Sequence, residues 1–175
     1  MRGFIRESDG HLSAVFEPEE ISLLSHLARE AGELVEEWRS GGETPADDPA
    51  MLRLLPDAYR DDADAAAEFR RFTADGLAER KAANARTVVA SLGAETTAKT
   101  TVRLDEPTVQ SWLRVLTDIR LVLATRLGIE HDGDTGYTDS DAAILLGDIY
   151  DWLGSVQASI LDALAEEPGH SAFHA

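Results

Sequence analysis

The stretch DEPTVQSWLRVLTDIRLVLATRLG, residues 105–128, decides how the rest of the chain is read. Asp105-Glu106-Pro107 opens a helix, with proline where its missing N–H costs nothing, and Gly128 ends it. Val109, Trp112, Leu113, Leu116, Ile119, Leu123 and Leu127 recur at helical spacing and cover a broad face. A face that wide needs neighbours on several sides, so this helix is expected at the centre of the fold.

Working outward, residues 93–104 are polar and Thr-rich, with Gly93 as a helix stop and Thr100-Thr101-Val102-Arg103-Leu104 as a short extended piece. Upstream lies an alanine-rich helical region, residues 64–92, whose apolar phase shifts midway. Phe69 and Phe72 share one face, while Leu77, Ala78, Ala85, Val88, Val89 and Leu92 share another. The stretch Thr73-Ala74-Asp75-Gly76 between them is either a kink or a restart. Asp48-Pro49 caps a short helix over 50–55, ended by Pro56. A longer helix opens at Glu17-Pro18, carries Ile21, Leu24, Leu27, Ala28, Ala31, Leu34, Val35 and Trp38, and stops near Ser40-Gly41-Gly42. Before it, Gly3–Arg6 and His11–Phe16 flank Asp9-Gly10, a pattern that predicts a hairpin. Downstream, an acidic loop over 130–138 leads to a last helix, 139–166, expected to bury Leu145, Leu146, Ile149, Leu153, Val156, Ile160 and Leu164.

The expected fold is therefore mostly α. It is a single-domain helical bundle of four to five helices over residues 17–166, with a small N-terminal β-hairpin over residues 1–16. Loops 41–47 and 130–138 and the tail 168–175 are expected to be mobile.

Composition narrows the function classes. Among 175 residues, 43% are hydrophobic, enough for a buried core. Sixteen basic residues face thirty-three acidic ones, a net charge of -17. That balance argues against direct nucleic-acid binding, which rests on neutralising phosphates, and against docking on anionic membranes. No apolar run is long enough to span a bilayer. The opening MRGFIRESDG has no signal-peptide apolar stretch, so a cytoplasmic location is expected. Cysteine is absent, which excludes disulfides, thiolate metal sites and thiol chemistry within this chain. The charge is uneven, because from Ile129 onward there are ten acids and no Lys or Arg. A solvated acidic surface accounts for this most simply; pairing of the basic middle with the acidic ends is the sharper alternative.

Motifs for common chemistries are missing. There is no phosphate-binding GxxxxGK[ST], no GxGxxG, no GxSxG and no HExxH. The loop Asp132 to Asp141 superficially resembles a calcium loop but has Gly136, Tyr137 and Ala143 where the EF-hand requires a ligand, glycine and glutamate. The histidines, His11, His26, His131, His170 and His174, share no ligand spacing. Glu30, Glu33, Glu36 and Glu37 lack the Glu-x-x-His partners of a carboxylate-bridged metal pair, and form a solvated face. Neither a metal nor a cofactor is expected.

Two placements stand out. Lys81 falls inside the apolar stripe of its helix, flanked by Arg70 and Asn84, and Arg120 falls between Leu113, Leu116, Leu123 and Leu127. A cation in an apolar face must be paired, since an isolated buried charge is prohibitively costly. Salt bridges to Asp118, Asp148 or Asp151 are the structural expectation. The functional alternative is an anionic-ligand pocket lined by Arg70, Lys81 and Arg120. Arg70, Arg71, Arg80, Lys81 and Arg86 also make one locally basic helix, diluted by Asp75 and Glu79.

Four stretches carry a family resemblance: DPAMLRLLPDAYRDD (48–62), AAEFRRFTADGLAERKAANARTVVASL (66–92), WLRVLTDIRLVLATRLGI (112–129) and IYDWLGSVQASIL (149–161), with FEPEEISLLSHL near the start. Together they resemble an actinobacterial family of unknown function, also known through a member called the actinobacterial oxidative stress regulator, AosR. The resemblance implies a regulatory or adaptor protein in stress-linked transcription, with the transcription machinery or the Clp protease system as partners. Redox sensing by cysteines does not carry over, because this chain has none. No catalytic residues transfer. Arg70, Arg71, Lys81, Asn84, Asp118, Arg120, Arg126 and Tyr150 match the quoted stretches and are candidates for an internal polar network or a ligand site. A non-enzymatic protein acting by protein contacts, as a homodimer, is the leading expectation.

Overall fold

A computed structural model describes residues 2–41, 48–56, 75–93, 97–131, 134, 136 and 139–166. Among them the elements run β1 (Ile5–Arg6), β2 (Leu12–Phe16), α1 (Pro18–Arg39), α2 (Pro49–Leu54), α3 (Asp75–Leu92), β3 (Thr100–Leu104), α4 (Glu106–Arg126) and α5 (Asp141–Ala165). The fold is mostly α with a small antiparallel sheet, as expected.

Helix ends follow local chemistry. Asp105 caps α4 by accepting from the Thr108 N–H at 3.0 Å. At the other end Gly128 takes φ +68°, which lets the Ile129 N–H reach the Ala124 carbonyl at 2.8 Å and stops the helix. Asp48 caps α2 through the Ala50 N–H at 2.7 Å, and Ser140 caps α5 through the Ala143 N–H at 3.2 Å. At the start of α1, Glu20 reaches back to the Glu17 N–H at 2.9 Å.

Helix α4 is the hub. It packs against α1, α2, α3, α5 and β3, and its buried residues include Val109, Trp112, Val115, Leu116, Ile119 and Leu123. Trp112 lies at the centre of the larger core cluster, meeting Phe4 and Phe16 from the sheet end. A smaller cluster joins Val35 of α1, Met51 and Leu54 of α2, Ala78 and Ala82 of α3, and Val122 of α4.

The sheet extends the expected hairpin by one strand. Gly10 turns the chain at φ +87°, β1 pairs with β2, and β3 pairs antiparallel on the far side of β2 with Leu12 opposite Leu104 and Phe16 opposite Thr100. Leu12, Ala14, Phe16, Val102 and Leu104 all face the core, so two strands distant in sequence complete one apolar surface. A lone two-stranded ribbon is marginal, and the third strand together with the helices beneath stabilises it.

One burial expectation is corrected. Leu153, Val156 and Ile160 of α5 are buried and Leu146 and Ile149 half-buried, but Leu145 and Leu164 are exposed, while Ala163 is buried. Helical periodicity identifies the apolar side of α5. It does not say how far the neighbouring elements extend, and cover is lacking at Leu145, near the start of the helix, and at Leu164, near its end. Phe69, Phe72, the junction up to Ala74, most of loops 41–47 and 130–138, and the tail 168–175 lie outside the described residues. No described helix is long and apolar enough to cross a membrane.

Two glycines give a matched prediction. A Cβ on Gly32 of α1 would sit 2.9 Å from the Ala85 Cβ of α3, whereas a Cβ on Gly147 of α5 would meet nothing within 4 Å. Alanine gains about 1 kcal/mol over glycine inside a helix, while forcing a methyl into a packed contact costs about 1–3 kcal/mol. Gly147→Ala is therefore expected to raise stability in urea unfolding and Gly32→Ala to lower it. Equal shifts of the same sign would show that the α1–α3 approach is not tight.

Candidate functional site

Lys81, Asn84, Asp118, Arg120 and Tyr150 gather on the two seams that α4 makes with α3 and α5. On the α3 side, Lys81 Nζ lies 2.5 Å from Asp118 Oδ1, with the side chains 18% and 9% exposed. Burial pushes the Asp118 carboxyl above its ordinary range, while the hydrogen bond and charge of Lys81 pull it back down. One turn along α3, Asn84 accepts from the Ser111 hydroxyl at 3.2 Å. Farther along, Trp112 donates its indole N–H to Ser91 Oγ at 2.9 Å. The seam is a ladder of one ion pair and two hydrogen bonds, spaced so that each buried polar group meets another.

Arg120 faces the other seam and departs from expectation. Neither Asp118, Asp148 nor Asp151 pairs with it. Its Nη1 donates to Gln157 Oε1 at 3.0 Å, and its guanidinium lies 4.4 Å from the Tyr150 ring centroid. Gly154 leaves the slot in which the group sits, since a Cβ there would come 3.4 Å from Arg120 Cζ. Gln157 in turn donates to Thr117 Oγ1 at 2.8 Å, and Arg120 Nε has no hydrogen-bond partner among the described residues. An aromatic face and an amide replace the carboxylate because a guanidinium is planar and weakly hydrated, so it stacks as readily as it pairs.

Arg126 stands exposed in the last turn of α4, where a cation complements the helix dipole, and lines a shallow cleft with Leu27, Glu30 and Leu34 of α1. Arg70 and Arg71 lie outside the described residues. The three-cation pocket of Arg70, Lys81 and Arg120 thus has Lys81 held by Asp118 and Arg120 turned toward α5.

A different set of residues shares an open groove of about 550 Å³ between α3, α4 and α5. Leu77, Leu113 and Leu161 give it an apolar lining, and Arg80, Lys81 and Arg114 bring cations to it. Arg120 is not among its lining residues. Among the described residues, Arg80 and Arg114 make no hydrogen bond or ion pair. Sequence patterning passed over Arg114, Gln157 and Leu161. Arg114 stands one turn before Asp118 on α4, a spacing that places it beside the Lys81 pair, whereas an amide such as Gln157 carries no charge signal. No group of three or more metal-ligating side chains occurs among the described residues.

Together the central helix, its two polar seams and the three-stranded sheet define a mostly α protein. The chain belongs to the family described as Domain of unknown function (DUF2017), which matches residues 1–164. No curated protein and no solved structure matches it.

Proposed function

We propose that this chain is a cytoplasmic regulatory or adaptor protein that acts by protein–protein contacts. It belongs with the AosR-like actinobacterial proteins in stress-linked transcription control, without thiol redox sensing of its own, and works as a homodimer. The observation that carries this reading is the surface of α5, where Ile144, Leu145, Leu161 and Leu164 are between 36% and 60% exposed. Single exposed apolar side chains need no explanation; here they stand in two pairs, Ile144 with Leu145 near the start of α5 and Leu161 with Leu164 near its end, and each pair offers an anchor for a partner. The net charge of -17 disfavours nucleic acid and anionic membranes as targets, which leaves protein partners. By resemblance, those partners are components of the transcription machinery or the Clp system. The anionic-ligand reading on Arg70, Lys81 and Arg120 has less support, because Lys81 is neutralised by Asp118 and Arg120 is held by Gln157 and Tyr150.

The test is affinity capture of the tagged protein from its own lysate with mass spectrometry, beside Leu145→Asp and Arg120→Ala. Enrichment of transcription or Clp components that is lost in Leu145→Asp and kept in Arg120→Ala is the expected result. Capture of nothing above a mock control, in a preparation whose circular dichroism shows a folded helical protein, overturns the reading.

A further inference from the structure

We infer that the groove between α3, α4 and α5 is a docking site for an acidic amphipathic helix of a partner protein; this rests on the adaptor reading and names its partner's chemistry. The groove combines an open apolar side with a cationic rim. Its apolar side, Leu77, Leu113 and Leu161, is open to solvent, with Leu161 half exposed. Its rim carries Arg80 from α3 and Arg114 from α4, both exposed and both without a partner among the described residues. The chain has twice as many acids as bases, yet no described carboxylate lies within ion-pair reach of either arginine.

The shape and polarity together select the occupant. A small inorganic anion would gain only exposed ion pairs, which contribute little, and would leave the leucines in water. Nucleic acid would meet the field of the whole protein, with its net charge of -17. A helix with leucines at i, i+3, i+4 and i+7 and a few flanking glutamates covers the apolar side and brings a carboxylate to each arginine. Few carboxylates are wanted, because the long-range field opposes each one and only short-range contacts with Arg80 and Arg114 offset it. The Lys81–Asp118 pair at the groove is neutral as a unit, so it adds shape without adding net charge.

The experiment is fluorescence anisotropy with a labelled helical peptide of about 18 residues, five turns, bearing that leucine pattern and two glutamates, beside versions with Gln or Lys in place of Glu. Saturable binding of the Glu peptide is expected, weakened about tenfold, or about 1.4 kcal/mol, in Arg80→Glu and in Arg114→Glu. Leu161→Asp should abolish it and Arg2→Glu should leave it unchanged. The Lys peptide should regain binding in the Arg80→Glu, Arg114→Glu double variant, whose fold circular dichroism would verify. No saturable binding of the Glu peptide, or binding indifferent to both arginines, overturns the inference. So does arginine-dependent binding of decanoate or inorganic phosphate with none of the peptide, which would make the groove a small-anion site. Repeating the lysate capture with the double variant separates the two proposals. Enrichment that persists removes the groove and keeps the adaptor reading, while peptide binding with no lysate partner removes the adaptor reading and keeps the groove.

Discussion

Trp112→Ala is expected to destabilise the protein by about 3–5 kcal/mol, the range for removing a large aromatic from a core. The side chain is fully buried and touches both rings that close the sheet end of the core. Phe4 lies 5.6 Å away edge-on and Phe16 6.0 Å away tilted, and the two phenylalanines meet each other at 5.9 Å. Truncation removes two aromatic contacts, opens a cavity beneath β2 and leaves Ser91 without the indole donor. Native domains are stable by only about 5–15 kcal/mol, so this one change uses a large share of the total. Urea unfolding followed by far-UV circular dichroism would measure it. Trp112→Phe keeps an aromatic and loses the Ser91 bond, and is expected to cost about 1–2 kcal/mol. A loss under about 1 kcal/mol for the alanine variant would mean that the sheet is not packed on α4 through this residue.

The second large effect is at the Lys81–Asp118 pair. Lys81→Met strands a buried carboxylate and is expected to cost about 3 kcal/mol near neutral pH, the lower end for breaking a buried pair because Lys81 keeps some solvent contact. The double variant Lys81→Met, Asp118→Leu should recover most of that loss, since an apolar pair of similar volume avoids the desolvation of both charges. The pH dependence has a definite sign. In the folded protein the Asp118 carboxyl titrates above its ordinary value of 3.8, so between those two values the native state holds more of its proton than the unfolded chain does. Its contribution therefore favours folding most at low pH and is lost as pH rises through the folded value. Removing Lys81 takes away both influences that lower the carboxyl, so the window widens upward. The deficit of Lys81→Met against wild type should accordingly shrink as pH falls from 7 toward 4, and this slope should vanish in the double variant. A deficit that stays constant across that range would show that Asp118 is not desolvated.

Much of this was legible in the sequence, and what was not has physical causes. Periodicity and end signals located α1, α2, α4 and α5 because those depend on neighbours three and four residues away. The stretch Thr100–Leu104 was readable as extended, but its place beside β2 was not, because Leu12 and Leu104 lie far apart in the chain and short alternating strands specify no partner. Its place in an apolar stripe marks Lys81 as a cation needing a mate, and Asp118 supplies it. The same logic marks Arg120, yet its contacts are Gln157 and Tyr150, a neutral amide and a ring to which charge patterning is blind. The exposed Leu145 shows a further limit: helical phase states direction, while burial also needs a neighbour that reaches far enough.

The order in which the sheet's strands are made has a consequence for biosynthesis. β2 is complete by Phe16, but its partner β3 is not translated until α1, α2 and α3 have been made. Throughout that interval the nascent chain presents one bare strand edge, with Leu12, Ala14 and Phe16 lacking the Val102 and Leu104 that later share their surface. Bare edges are templates for intermolecular pairing, and distant pairings close slowly. A ribosome that stalls or terminates before Leu104 thus releases a polypeptide whose stickiest surface is its oldest. The full-length product hides that surface only when β3, made last of the three, pairs along the open edge of β2.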